Sequence, residues 1–192
     1  MSKNIVICSD GTGNSDIKGR GTNVFKLFEA IDLNGHRTES TLVPQVALYD
    51  DGVGTENFKL LKIFTGATGF GLSRNVRQLY KELARIYDPG DRIFLFGFSR
   101  GAFTVRTLAG FIVKCGILDV TKLSTVSELE ARVRKAYKVY RQCYRTEVAK
   151  LFLSEPNPST LTEQFKNSYC HQEERACGCE RGQGGKESNV ST

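Results

Sequence analysis

No run of this chain is apolar for the length that a bilayer-spanning helix needs, and its first residues carry neither the basic n-region nor the apolar h-region of a secretory leader. The first absence excludes a helical membrane span. The second argues against a secreted, disulfide-stapled scaffold, so the six cysteines read as reduced thiols. A soluble, cytoplasmic protein is the expectation, with a signal-independent secretion route left open. Tryptophan is absent and histidine occurs only at His36 and His171. Cys170-His171 and Cys177-Gly178-Cys179 supply thiols and an imidazole, but their spacing matches no zinc pattern and the segment is polar and glycine-rich. No metal and no cofactor are expected.

Phosphate-handling loops are missing too. After the apolar run Ile5-Val6-Ile7-Cys8 comes Ser9-Asp10-Gly11-Thr12-Gly13-Asn14. A haloacid-dehalogenase-type D-x-D-G-T would need its leading Asp where Cys8 stands, and a cysteine phosphatase would need Arg where Asn14 stands. No G-K-[ST] follows Gly11 or Gly66, which excludes a Walker-type loop.

What is present suits one globular domain of 192 residues, 40% hydrophobic and 25% charged. The formal charge of +6 comes from Lys and Arg dispersed on amphipathic segments, densest between Arg132 and Arg145. That spacing reads as a solvated helix face, and no nucleic-acid partner is expected.

Strand and helix patterns alternate three times. The strands are Ile5 to Cys8, Val43 to Tyr49 and Ile93 to Phe96. A helix carrying Val24, Leu27, Phe28 and Ile31 follows the first, capped at Thr22 or Asn23 and ended by Asn34-Gly35. Between Phe64 and Gly71 the glycine spacing predicts a flexible loop. A second helical stripe holds Leu72, Val76, Leu79, Tyr80, Leu83 and Ile86, and Asp88-Pro89-Gly90-Asp91 ends it. A third runs from Ala102 to a C-cap at Gly116, and a fourth from Ser127 to Leu153, broken by Pro156 and Pro158. The fold class is therefore α/β with a parallel sheet flanked by helices. From Gln172 apolar residues run out, so the expected division is a domain at 1–171 and a disordered tail at 172–192.

The chemistry concentrates at Gly97-Phe98-Ser99-Arg100-Gly101, a G-x-S-x-G between the strand pattern and the third helix. A serine at so sharp a turn needs flanking glycines, and the helix N-terminus favours negative charge beside its hydroxyl. Ser99 is the candidate nucleophile. Loops at the carboxyl ends of parallel strands gather on one edge, which brings Asp10, Asp50 and Asp51 around Ser99 as site-lining acids. The N–H of Arg100 and an N–H at Gly11 or Thr12 are the candidate oxyanion donors.

Asp10-Gly11-Thr12-Gly13-Asn14, Thr22-Asn23-Val24, Tyr49 to Thr55, the Gly66 to Gly71 loop and Phe96 to Phe103 together resemble the type VI secretion phospholipase-effector-like α/β-hydrolase family, over about residues 3 to 171. The resemblance implies a metal-free serine esterase or phospholipase. It would cleave acyl esters through an acyl-enzyme on Ser99, with phospholipid or another acyl ester as partner and contact with a membrane surface. α/β-Hydrolases place the triad acid and histidine on loops after later strands. Relatives carry a tryptophan-bearing strand and then a histidine in a glycine-rich loop, and nothing after His171 resembles either. His36 precedes the second strand and belongs at the opposite edge. The chain thus reads as the front part of a hydrolase domain, ended by truncation or a shifted frame. The alternative function is a catalytically incompetent fragment or adaptor. The third strand would then lie at a sheet edge, open unless Thr160 to Tyr169 folds back over it.

Overall fold

A computed structural model describes residues 2–11, 21–51, 70–144 and 158–171. Three parallel strands, β1 (Asn4–Ser9), β2 (Gln45–Asp50) and β3 (Arg92–Gly97), form a sheet in the order β2-β1-β3. The expected α/β class, a parallel sheet flanked by helices, is the observed one. Register is exact along the whole ladder, from Asn4 opposite Gln45 and Arg92 to Ser9 opposite Asp50 and Gly97. Central β1 is apolar on both faces because both faces are covered.

Helices α1 (Asn23–Glu29) and α2 (Gly35–Thr38) lie between β1 and β2, and α3 (Phe70–Ile86) leads into β3. Next come α4 (Arg100–Cys115), a 3-10 turn at Val120–Lys122, α5 (Val126–Gln142) and α6 (Pro158–Tyr169). The larger core joins Ile5 and Ile7 to α3, α4 and α5 through Tyr80, Leu83, Leu108, Phe111, Val133 and Tyr137. Phe111 is its hub, stacked on Tyr80 at 4.1 Å and edge-on to Tyr137 at 5.4 Å. On the other face α1 covers Val6 and Cys8 with Val24, Leu27 and Phe28.

Local signals explain most boundaries. Thr22 caps α1 by accepting from Phe25 N at 3.1 Å. Gly116 closes α4 at φ 74°, donating to the Ile112 carbonyl at 2.7 Å. Thr125 and Glu128 cap α5 reciprocally, Glu128 N reaching Thr125 Oγ1 and Ser124 N reaching Glu128 Oε2, both at 3.1 Å.

Three expectations are corrected. Asn34-Gly35 opens the single turn α2 rather than ending α1, because Asp32 Oδ1 gathers the N–H groups of Asn34 and Gly35. Phe70 and Gly71 begin α3 instead of closing a loop. Pro158, read as a breaker, is the first residue of α6, where its missing N–H costs nothing.

α6 packs on α4 and α5, not on β3. Phe165 enters the core and Cys170 Sγ donates to the Cys115 carbonyl at 3.0 Å. The outer edge of β3 is therefore unpaired among the described residues. The fourth helix, expected to reach Leu153, ends at Gln142, with Cys143 and Tyr144 in a turn; residues 145–157 and the 172–192 segment lie outside the described residues. No helix among the described residues is long and apolar enough to cross a membrane.

Candidate active site

Strand β3 and helix α4 meet at Ser99, whose φ of 53° and ψ of −119° make it the one non-glycine residue at positive φ among the described residues. Such a backbone is strained for an L-residue. It is held because the two neighbouring glycines allow a close approach that no Cβ would permit. A Cβ at Gly97 would stand 2.6 Å from the Gly101 carbonyl oxygen, and one at Gly101 would overlap the Ser9 carbonyl and lie 2.7 Å from that of Asp10. The end of β1 is thus pressed against the first turn of α4. Phe98 N donates to Ser9 O at 3.1 Å and Gly101 N to Phe98 O at 2.9 Å, closing the turn.

Ser99 is exposed at the head of α4, and its side chain makes no capping hydrogen bond. The Arg100 N–H belongs to the first turn, where helical N–H groups have no partner four residues back. Burial pushes the Arg100 guanidinium down from its usual value. Phe98 and Phe103 flank the turn and are 54% and 59% exposed, an apolar rim beside the hydroxyl.

Exact register brings Asp10, Asp51 and Phe98 to one level beyond the strand ends. The three acids have different environments. Asp10 is 1% exposed, and its carboxylate accepts from Gly11 N at 2.7 Å, from the Tyr49 hydroxyl at 3.0 Å and from the Thr22 hydroxyl. It is a buried bracket that fixes the β1 loop to α1 and β2. Burial, then the hydrogen bond to Asp10, pushes the Tyr49 phenol well up, and burial followed by the Asp10 charge raises the Cys8 thiol. Asp50 is half-buried, taking the Ser9 hydroxyl at 2.8 Å and the Asn75 amide at 3.4 Å. Asp51 is exposed. The Gly11 N–H, expected as an oxyanion donor, is turned to the Asp10 carboxylate. Thr12 lies outside the described residues.

Neither histidine approaches Ser99. His36 sits in α2, just before β2, at the amino edge. His171 N donates to the Ile117 carbonyl at 3.0 Å, and its ring stands edge-on to Tyr87 at 5.5 Å. Ile117 lies just past the end of α4 and Ser99 just before its start, so the 16-residue helix separates them by about 24 Å. No hydrogen bond joins Ser99 to a carboxylate or imidazole among the described residues.

Thr22, Tyr49 and Asn75, the residues that hold the acids in place, were not singled out for that role in the sequence. Thr22 reads as a cap and, like Tyr49, falls within the motifs that carry the family resemblance, while Asn75 has no signal beyond its place in the second helical stripe.

A parallel sheet whose third strand turns through a strained serine into a helix is an α/β architecture with a nucleophile-elbow geometry. The chain matches, over residues 3–179, the family described as the catalytic domain of Tle1-like phospholipase effectors of type VI secretion (T6SS), and it belongs to that family. It is also similar to a protein of Saccharomyces cerevisiae named "Uncharacterized protein YEL023C", at 32% identity over 184 residues. That similarity covers 87% of this chain and 24% of the yeast protein, so the chain spans about a quarter of that relative's length. No solved structure matches.

Proposed function

We propose that this chain carries the nucleophilic half of a serine esterase or phospholipase site. Residues 1–171 would be the N-terminal part of an α/β-hydrolase catalytic domain, with 172–192 as a tail. The strained Ser99 turn carries the reading, since it leaves an uncapped, exposed hydroxyl at a helix N-terminus. Ser99 Oγ attacks the ester carbonyl carbon, its proton passing to a general base, and the carbonyl oxygen becomes an oxyanion facing the Arg100 N–H. Collapse expels the alcohol with a proton, leaving an acyl-enzyme that water hydrolyses. Phe98 and Phe103 supply apolar surface for the acyl chain. A phospholipid substrate lies in a bilayer, so the reading includes peripheral contact with a membrane surface.

The general base is neither His36 nor His171, given their distance from Ser99, and this favours a second reading in which these residues alone bind without turning over. A fluorophosphonate probe separates the two. Stoichiometric labelling, abolished by Ser99→Ala, supports an active serine and a base supplied by residues outside those described. Labelling no faster than free serine supports the binding reading. Deleting triad members leaves only about 10³ to 10⁴ over the uncatalysed rate.

A further inference from the structure

Away from Ser99, helices α3 and α5 line an open cleft of about 150 Å³. Arg74, Arg77 and Lys81 line it from α3, and Glu130 and Arg134 from α5, with buried Val133 at its floor. Positions 74, 77 and 81 recur at helical spacing and form one stripe. The helices pass antiparallel, Ser73 beside Tyr137 at one end and Lys81 beside Glu130 at the other.

The charge in this cleft does not balance. Glu130 is shared between Lys81 at 3.4 Å and Arg134 at 3.8 Å, which leaves four cations against one carboxylate. Arg74 and Arg77 make no ion pair among the described residues. Arg77 is nevertheless held in place, its Nε donating to the Ser73 carbonyl at 3.1 Å and its guanidinium over the Tyr137 ring at 5.8 Å. Like charges on one helical stripe repel, and a bound anion relieves that repulsion. Guanidinium forks match the oxygens of a phosphate two at a time.

We propose that the α3–α5 cleft is a binding site for a phosphate group, either an anionic phospholipid headgroup or a free phosphate. Arg74 and Arg77 grip the oxygens, and Lys81 and Arg134 neutralise the remaining charge. Both arginines lie in the first half of α3, the half nearer the carboxyl edge where Ser99 stands, because α3 starts after β2 and runs back to β3. The site does not depend on acyl transfer.

The test measures binding of the 192-residue protein to inorganic phosphate by calorimetry, and to phosphatidylcholine vesicles with and without phosphatidylglycerol by flotation. Binding to phosphate, to the phosphatidylglycerol vesicles or to both is expected, reduced about tenfold or more by the double variant Arg74→Gln/Arg77→Gln. Vesicle binding that added phosphate displaces indicates a site filled by either source. Vesicle binding that phosphate leaves intact assigns the headgroup, and binding of phosphate alone assigns the soluble ion. Lys26→Gln/Arg37→Gln removes the same charge from α1 and α2 and should change binding less than twofold. Ser99→Ala should bind as the parent does, which separates this site from the serine chemistry. An equal loss in both double variants, or binding to neither probe, overturns the proposal; matched thermal melts confirm that each variant is folded.

Discussion

Ser99 holds a backbone conformation that favours glycine, at φ 53°. Such strain is worth about 1–3 kcal/mol, and glycine's extra chain entropy returns about 0.5–1 kcal/mol of that. Ser99→Gly should therefore raise unfolding free energy by about 1 kcal/mol while removing the hydroxyl, and Ser99→Ala should not. Urea unfolding of the two variants checks this, and equal stabilities would mean the turn is not strained. Gly101 makes the opposite case. Its Cβ would overlap the Ser9 carbonyl, which belongs to the backbone and has no rotamer to yield. Gly101→Ala should cost about 3 kcal/mol, read from the shift in urea midpoint. Both glycines of the motif were legible in the sequence, and the structure supplies the atoms that demand them. The role of Asp10 was not legible, since nothing in Asp-Gly-Thr-Gly-Asn says whether the carboxylate faces the serine or turns inward to Tyr49 and Thr22.

At the scale of elements, the amino ends of β1 and β3 are tied by Lys3. Its ammonium lies 2.5 Å from Asp91 and 2.6 Å from Asp88, and Asp91 also accepts the Lys3 N–H at 2.8 Å and the Asp88 N–H at 2.9 Å. Burial alone would raise the Asp91 carboxyl, but these donors hold it below its usual range. Burial would likewise lower Lys3, and the two carboxylates outweigh it and raise it. A lowered acid stabilises the fold above its unfolded value and stops doing so as pH falls through its folded one. A raised base stabilises below its unfolded value and stops as pH rises through its folded one. The tie should thus act fully between about pH 4 and pH 10.4. Asp91→Asn should lower stability by about 2 kcal/mol at pH 7, and the loss should shrink as pH falls below about 4. Denaturation midpoints measured against pH test this, and a pH-independent difference would remove the carboxylate from the explanation. The turn itself, Asp88-Pro89-Gly90-Asp91 with Gly90 at φ 94°, was readable from its residues. Its pairing with Lys3 was not, being 88 residues away in sequence.

For the whole molecule, the outer edge of β3, unpaired among the described residues, matters most. Phe94 and Phe96 share a face with Val6 and Cys8, yet α1 covers only the β1 and β2 side, leaving them 40% and 38% exposed. Phe98 and Phe103 continue this apolar surface toward the serine. An apolar strand with free N–H and C=O groups pairs readily with another chain. The 192-residue protein should self-associate, with a sedimentation coefficient that rises with concentration. Phe94→Lys/Phe96→Lys should shift it toward monomer, provided the variant keeps a cooperative melt. A parent that sediments as a monomer at all concentrations would mean the edge is covered by residues outside those described.

The sequence by itself determined what short windows encode. Strand runs, helical stripes, caps at Thr22 and Gly116, and the strained serine turn between glycines all depend on neighbours within a few residues, so their signals survive without knowledge of the fold. It also carried enough ordered motifs to reveal the family. Only the tertiary structure decided where distant groups finished. α6 settled on α4 and α5 because Phe165 and Cys170 complete the core there, which left the outer edge of β3 unpaired among the described residues and carried His171 a full helix length from Ser99. Arg74 and Arg77 of α3, without an ion pair among the described residues, line the cleft with α5 for the same kind of reason. Helix packing angle and strand order set those meetings, and no local pattern of residues contains either.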